Sequence, residues 1–188
     1  MKDFIEHIER YLGTIEHGWT KSPSGKSMPF QIIECRGGVV RGAAAFMTLG
    51  LGQTELSSRV TQTLIRQELL ITVRAVDATV GVPSLLQQVA SEALTRREAY
   101  LRGDVIGPRG TIFENSTMEA FYVTMPTYYP ESFSTFEESA GCGRIIAWLL
   151  PITSKEAEYV RSRGWSEFET LLKKENPDLL NLNRSSIV

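Results

Sequence analysis

The chain contains 188 residues, of which 42% are hydrophobic and 22% are charged. These proportions are close to the globular average, so they exclude a disordered chain, a fibrous repeat and a coiled coil, and the length suits a single domain over residues 1–188. The formal net charge of -2 and the sequence pI of about 5.8 provide no basic field for phosphates, which argues against nonspecific nucleic-acid binding.

The sequence shows no targeting or membrane-spanning segment. Asp3 and Glu6 stand where a signal peptide is apolar, and no later stretch approaches the roughly 20 apolar residues of a membrane span. We therefore expect a cytoplasmic protein. In that reducing compartment Cys35 and Cys142, the only two cysteines, should both be free thiols.

The beginning of the chain predicts a helix followed by paired strands. Apolar residues recur at helical spacing over residues 3–12, and we expect this helix to pack on the sheet. A polar loop over 20–27 then leads into strands over 30–35 and 39–51, which turn at Gly37-Gly38.

The middle of the chain predicts a further strand and the longest helix. After a polar connection over 56–64, apolar and polar residues alternate over 68–74, which indicates a strand with one face toward the core, although Leu70 breaks the alternation. A helix over 83–101 follows, because Pro83 suits a first helical position and an apolar stripe continues for about five turns. We expect this helix to be the main cover of the sheet.

Shorter extended segments precede the most apolar stretch of the chain. Residues 104–106, 121–125 and 133–136 are separated by loops that contain Pro and Gly. Residues 145–150 then form an unbroken apolar run of strand length, which is typical of a strand covered on both faces. We predict that this run is the central strand.

Two helices should follow the central strand. Thr153 and Glu156 have the spacing of a capping box, so the first helix should begin at Ser154, and Gly164 should end it. The second helix should stop near Asn176-Pro177.

The second of these helices carries two further predictions. Ser166 and Glu169 repeat the capping-box spacing at its start. Trp165 should be buried between helix and sheet. The whole order of elements indicates an α+β fold, with a mixed, largely antiparallel β-sheet covered by a long central helix and two C-terminal helices.

No residue pattern assigns a catalytic, metal or cofactor site. The Gly50-Leu51-Gly52 segment lacks the third glycine and the Lys-Ser/Thr pair of a phosphate-binding turn, so we interpret it as a strand end. His7 and His17 are the only histidines, and neither belongs to a metal-ligand pattern, so both are predicted at the surface. Cys142 would sit on an open turn between two glycines, but no base is indicated beside it.

An acidic and aromatic stretch extends from Tyr128 to Glu138. One interpretation is a solvated acidic loop over core aromatics, and the other is an exposed recognition patch in which tyrosine anchors are ringed by charge. In the second interpretation the partner-binding residues are Tyr128, Tyr129, Glu131, Glu137 and Glu138.

Several motifs resemble the Suppressor of Fused domain. The sequence from Leu-Pro-Ile-Thr at 150–153 through an acidic helix and Gly-Trp to Pro-Asp-Leu-Leu-Asn-Leu-Asn-Arg at 177–184 is similar to the end of that domain. Residues 46–52 resemble its strand running into a Gly-Leu turn, and residues 68–74 resemble the strand that follows. Gly103-Asp104 falls where the family has a Gly-Asp pair after its long helix, so the resemblance spans about residues 28–185.

The resemblance implies a non-catalytic protein-binding domain without a cofactor. In animal Suppressor of Fused proteins the aspartate of the matching pair lies in a cleft between two lobes that holds a peptide of the Gli transcription factor, which implies a partner contact at Asp104. This chain matches the first lobe only. The two-lobed clamp is therefore not carried over, and neither is the family's aromatic partner, because its position is acidic or small here, near Glu92.

Stand-alone bacterial members of the family are thought to be mostly immunity proteins that neutralise a toxin. We therefore predict an immunity protein that binds its partner through Asp104 and the 128–138 stretch, and the acidic net charge favours a basic toxin. An enzyme that uses unrecognised carboxylates or Cys142, or a structural subunit of a larger assembly, stays open as an alternative. The sequence identifies neither the partner nor the oligomeric state.

Overall fold

The computed structural model describes residues 2–61, 63–79, 81–138 and 142–188. Its helices are α1 (Lys2–Leu12), α2 (Gly81–Arg96), α3 (Ser154–Arg163) and α4 (Trp165–Glu175). Its strands are β1 (Gly13–Lys21), β2 (Ser27–Gly37), β3 (Ala43–Leu49), β4 (Leu56–Ser57), β5 (Leu64–Arg74), β6 (Val105–Ile106), β7 (Ala120–Thr124), β8 (Thr135–Glu138) and β9 (Cys142–Ile152).

The strands form one mixed sheet in the order β1-β2-β3-β5-β9-β7-β6, with β4 paired to β5 and β8 paired to β9. The β5–β9 pair is parallel, and the other pairs are antiparallel. This architecture confirms the predicted α+β class and the largely antiparallel sheet.

Strand β9 occupies the centre of the sheet, between β5 and β7. Trp148 pairs with Leu70 of β5 on one side and with Thr124 of β7 on the other. Ile146 to Ile152 are buried along this strand. The central position predicted for residues 145–150 is therefore confirmed.

Helices cover the sheet on both faces. Residues Leu69, Ile71 and Val73 of β5 pack with the buried side of α2, whereas Leu70 packs with the apolar side chains of α1, α3 and α4. The prediction of one core face for residues 68–74 is therefore wrong. Leu70 breaks the polar alternation because the second face of the strand is also buried.

Helix α2 ends five residues before the predicted boundary at Leu101. Arg97 has a φ of 55°, which ends the helix, and the chain then pairs with β4 through hydrogen bonds of Ser57 with Arg97 and Ala99. The apolar residues after Arg97 pack on the sheet and do not belong to the helix. Because they are apolar, the helical pattern in the sequence extends beyond the end of the helix itself.

Helix α3 begins with the predicted capping box. The Thr153 hydroxyl accepts a hydrogen bond from the Glu156 N–H at 3.2 Å, and the Glu156 carboxylate accepts one from the Thr153 N–H at 2.9 Å. The Glu156 side chain is fully buried, and Arg184, from the segment after α4, pairs with it at 2.5 Å. The end of the chain is therefore tied to the start of α3.

Helix α4 begins differently from the prediction. Gly164 is its N-cap, no side chain caps it, and Trp165 is its first residue, so the predicted Ser166–Glu169 capping box is wrong. Glu169 instead faces the sheet, where Tyr122 donates a hydrogen bond to it at 2.9 Å. The helix ends at Glu175, so the predicted stop near Asn176-Pro177 is confirmed, and its C-cap residue Asn176 adopts the left-handed conformation.

Candidate functional site

Gly103 and Asp104 form the turn that leads into β6. Gly103 has a φ of 95°, a region that favours glycine, and an added Cβ would lie 2.8 Å from the Trp165 ring. The Asp104 carboxylate accepts a hydrogen bond from the Leu101 N–H at 2.8 Å and pairs with the Arg59 guanidinium at 2.5 Å. Asp104 therefore closes the turn and also carries a partly exposed ion pair.

Asp104 lines a charged cleft of about 240 Å³ beside β6. Glu92, on another wall, pairs with Arg96 at 2.5 Å and with Arg109 at 2.7 Å. Partly exposed ion pairs of this kind contribute only about 0–1 kcal/mol each, so a charged group from a partner could replace one of them at little cost. The cleft can therefore exchange an internal ion pair for an intermolecular one.

The cleft adjoins one end of the sheet. Val105 and Ile106 of β6 pair with Tyr122 and Phe121 of β7, and β6 is the last strand in the sheet order. The outer side of a terminal strand can accept an added strand through main-chain hydrogen bonds.

Tyr128 and Tyr129 point in different directions. Tyr128 is 38% exposed, and its hydroxyl accepts a hydrogen bond from the Leu179 N–H at 3.0 Å. Tyr129 is only 7% exposed, its hydroxyl lies 3.1 Å from the Thr72 hydroxyl, and burial raises its pKa to about 12. Of these two predicted anchors, Tyr128 reaches the surface and Tyr129 is a core residue.

The three glutamates of the stretch also differ. Glu131 and Glu137 are exposed. Glu138 pairs with Arg144 at 2.7 Å and with Arg66 at 3.7 Å. Because Arg144 is buried, Glu138 balances an internal cation, whereas Glu131 and Glu137 present their charge to solvent.

The structure does not join the two parts of the predicted surface. Asp104 lines its cleft with Tyr100 and Ile106, which belong to the core beneath α2. Tyr129 and Phe133 belong to the core on the opposite face. Asp104 and the 128–138 stretch therefore adjoin different faces of the sheet.

A buried carboxylate that the sequence did not reveal lies on β5. Glu68 is fully buried and accepts hydrogen bonds from the Thr48 hydroxyl and from the N–H groups of Gly50, Leu51 and Gly52. Burial raises its pKa to about 7, although these donors and the Arg144 guanidinium, at 3.7 Å, act to lower it. The free N–H groups of the Gly-Leu-Gly turn therefore hold a side chain of the protein itself, and that turn was the sequence signal that could have located Glu68.

One group among the described residues brings three potential metal ligands together. Ligand atoms of Glu16, His17 and Glu34 lie within 4.8 Å of one another. Glu16 and His17 are adjacent, and both side chains lie near Glu34 because a register irregularity falls between Ile15 and His17. Arg36 lies 2.7 Å from Glu34 and 3.4 Å from Glu16, so a guanidinium already balances both carboxylates.

Among the described side chains, no cysteine thiol contacts a histidine that could act as its base. Cys35 is buried, and burial raises the pKa of its thiol to about 12. The side chain of Cys142 lies outside the described residues. His7 is half-buried rather than at the surface as predicted, because Phe133 and Phe136 pack around its ring, and burial lowers its pKa.

In the described part of the chain, no helix combines the length and apolar character needed to span a bilayer.

The fold resembles several solved structures. A SUFU homologue from Neisseria gonorrhoeae FA 1090 is 20% identical, with a TM-score of 0.78, and the match covers 100% of this chain and 96% of that one. The Sufu–Fu complex structure is 15% identical, with a TM-score of 0.71, and the match covers 99% and 91%. Drosophila Suppressor of Fused is 14% identical, with a TM-score of 0.69, and the match covers 98% of this chain and 50% of that one. Comparison with curated protein sequences gives no significant match.

Sequence comparison extends the likeness beyond the fold. The family model described as Suppressor of fused protein (SUFU) matches residues 26–185, which include the Gly-Leu-Gly turn, the Gly103-Asp104 pair and the two C-terminal helices. The chain therefore belongs to the Suppressor of Fused family.

Proposed function

We propose that this chain is a non-catalytic protein-binding domain, and specifically an immunity protein that binds and neutralises a toxin. Family membership supports the general role, since one of the similar structures is a complex between Sufu and Fu. The observation that carries the proposal is the Arg59–Asp104 ion pair, which lies in an open charged cleft beside the terminal strand of the sheet.

The cleft and the strand edge offer complementary kinds of contact. An extended segment of the partner adds to the outer side of β6 through main-chain hydrogen bonds, which provide affinity with little dependence on sequence. A basic side chain of the partner takes the place of Arg59 at Asp104, which provides the specific contact. Because β6 has only two residues, the cleft contributes most of the specificity.

Exposed acidic side chains favour a basic partner. The net charge is -2, and Glu131 and Glu137 present carboxylates to solvent. Such a field raises the association rate of an oppositely charged protein. A basic toxin is therefore the partner that the acidic net charge and these two exposed glutamates favour.

Asp104→Asn tests the site with little disturbance of the fold. The amide oxygen can still accept the Leu101 hydrogen bond, but the negative charge that faces Arg59 is removed. We expect affinity for the native partner to fall by about 2 kcal/mol or more, because a charged interface group loses its counterion. The partner is first captured from the native lysate and identified by mass spectrometry, and its affinity is then measured with purified proteins.

Asp178→Asn is the matched control. Asp178 also pairs with an arginine, Arg74, and accepts a hydrogen bond from the Leu180 N–H at 3.0 Å, but it lies after α4 and away from the cleft. We expect this variant to bind normally. Equal binding by both variants at unchanged melting temperature would remove Asp104 from the site.

A growth assay tests the immunity role separately. The captured partner is expressed alone and together with the wild-type chain or the Asp104→Asn variant. We expect the partner to arrest growth, the wild-type chain to restore it and the variant to restore it poorly. A partner that does not affect growth contradicts the immunity role, even if its binding depends on Asp104.

A further inference from the structure

An apolar pocket opens between α4 and the segment that follows it, on the sheet face opposite the core beneath α2. Its volume is about 170 Å³, and its apolar lining consists of Tyr128, Trp148, Leu150, Leu172, Pro177 and Leu179. This space is comparable with the cavity of roughly 150 Å³ that accommodates benzene in an engineered protein. The pocket is therefore large enough for one aromatic ring.

A buried polar group beside this pocket lacks a partner. Trp148 is 0% exposed, and its indole Nε1 has no hydrogen-bond acceptor among the described residues. Buried indole N–H groups usually find an acceptor. The Tyr128 ring lies 5.4 Å from Trp148, but its hydroxyl is engaged by the Leu179 N–H. The adjoining pocket is the space from which a ligand could supply the missing acceptor.

The charged wall of the pocket disfavours an anionic ligand. Glu169 accepts hydrogen bonds from Tyr122 at 2.9 Å and from Thr124 at 3.2 Å, and it also pairs with Arg102. Its oxygens are therefore already engaged, and its negative charge opposes an anion in the pocket. The remaining charged group, Lys173, is exposed at the rim.

We propose that this pocket binds a small neutral aromatic compound that carries one carbonyl or amide oxygen. The ring packs between Leu172 and Tyr128, and the oxygen accepts a hydrogen bond from the Trp148 indole N–H. Since Trp148 has no exposed surface, the oxygen reaches Nε1 through a shift of the partly exposed Tyr128 ring. This site does not involve Asp104 or its cleft, so it is independent of the proposed function.

Acetophenone is a suitable probe, and ethylbenzene is its control. The two molecules have similar shapes, but only acetophenone carries an acceptor. The chain has three tryptophans, Trp19, Trp148 and Trp165, so protein labelled with ¹⁵N in the indole ring gives one N–H signal for each, which Trp148→Phe assigns. We expect acetophenone to shift the Trp148 signal saturably, to leave the other two in place, and to bind about twofold to tenfold more tightly than ethylbenzene.

Two substitutions on α4 show whether binding occurs in the pocket. Leu172 lines it, whereas the neighbouring Leu171 lines a different surface with Tyr159 and Thr170. Leu172→Phe should fill the space and abolish the Trp148 shift, and Leu171→Phe should leave the shift unchanged, with both variants folded by circular dichroism. The proposal is overturned if the Trp148 signal does not move, if ethylbenzene binds equally well, or if both variants respond alike.

Discussion

The ring of Trp165 lies against Gly103, and the Arg102 guanidinium stands 4.8 Å from the ring centroid. The prediction that Trp165 is buried is wrong, because the residue is 43% exposed at the start of α4. We expect Trp165→Ala to lower the free energy of unfolding by only about 1 kcal/mol, through loss of the cation–π contact and of partial burial.

Chemical denaturation measures this difference, and Phe168→Ala is the control. Phe168 lies on the same helix but is fully buried, so its truncation should cost about 3–5 kcal/mol. If the two substitutions had equal effects, Trp165 would have to be packed in the core.

The stability of the protein should depend on pH through the ionisation of Glu68. With its pKa raised from the usual 4.5 to about 7, the folded state holds a proton between these pH values that the unfolded state has lost. The contribution of Glu68 to stability is therefore fully present below pH 4.5, and it falls as the pH rises to about 7.

The measurement compares wild type with Glu68→Gln by urea denaturation across this range. The difference between their free energies of unfolding should change from about pH 4.5 to 7 and then become constant, because the other titrating groups, including His7, are common to both proteins. A constant difference throughout would mean that Glu68 keeps its usual pKa.

The burial of individual residues was the feature that the sequence predicted least completely. Glu68 fits the polar side of a strand, and its only sequence signal is the Gly-Leu-Gly turn, which lies 16–18 residues earlier and donates three N–H groups to it. Tyr128 and Tyr129 are adjacent in the sequence, and only the packing of the segment between β7 and β8 places Tyr129 in the core and Tyr128 at the surface. Burial at these positions depends on elements that are distant in sequence.

At the scale of elements, the two C-terminal helices provide a matched test of capping. Thr153→Ala removes the side-chain acceptor of the Glu156 N–H, so it should cost about 1 kcal/mol of stability. Ser166→Ala should change stability by less than about 0.5 kcal/mol, because Ser166 is exposed and α4 has Gly164 as its N-cap. Denaturation midpoints of the two variants measure the contrast, and equal losses would indicate that Ser166 also caps a helix.

Sequence predicted the start of α3 and the end of α4, which depend on neighbouring residues, but not the start of α4, where the Ser166–Glu169 spacing forms no capping box. The capping box at Thr153 and the end of α4 near Asn176 involve contacts within one or two turns, so their signals are visible in the sequence. The end of α2 is different. It is set by pairing of Glu98 with Ser57 of β4, which no local pattern records.

For the whole molecule, surface charge should control the rate of partner binding. Reversing Glu131 and Glu137 to lysine should slow association with a basic partner, and about 0.5 M salt should remove most of the difference through screening. Stopped-flow association rates at several salt concentrations provide the measurement.

Glu167→Lys, a reversal at an exposed position of α4, is the control for the overall charge. Glu138 is not suitable, because its reversal would leave the buried Arg144 without its nearest counterion. Equal rates for wild type and the double reversal would show that these glutamates do not steer the partner.

The fold class followed from the order of elements, but the topology did not. Several strands, then one long helix, further strands and finally two helices indicate α+β rather than a regular βαβ alternation, and the run at residues 145–150 identifies a strand covered on both faces. The sequence does not show that β5 and β9 pair in parallel, or that Asp104 and the 128–138 stretch adjoin different faces. Both facts depend on how strands from the two halves of the chain are ordered in the sheet.

The parallel β5–β9 pair has a consequence for folding during synthesis. Strands β1, β2, β3 and β5 are antiparallel neighbours, and all of them leave the ribosome before residue 75. They can pair early, whereas β9, β7 and β6 join only after the chain has been made to Ile152. Until then the edge of β5 that receives β9 is open, and pairing across so long a separation is slow. The nascent chain therefore carries an exposed strand edge through much of its translation, and this interval is when aggregation competes most strongly with folding.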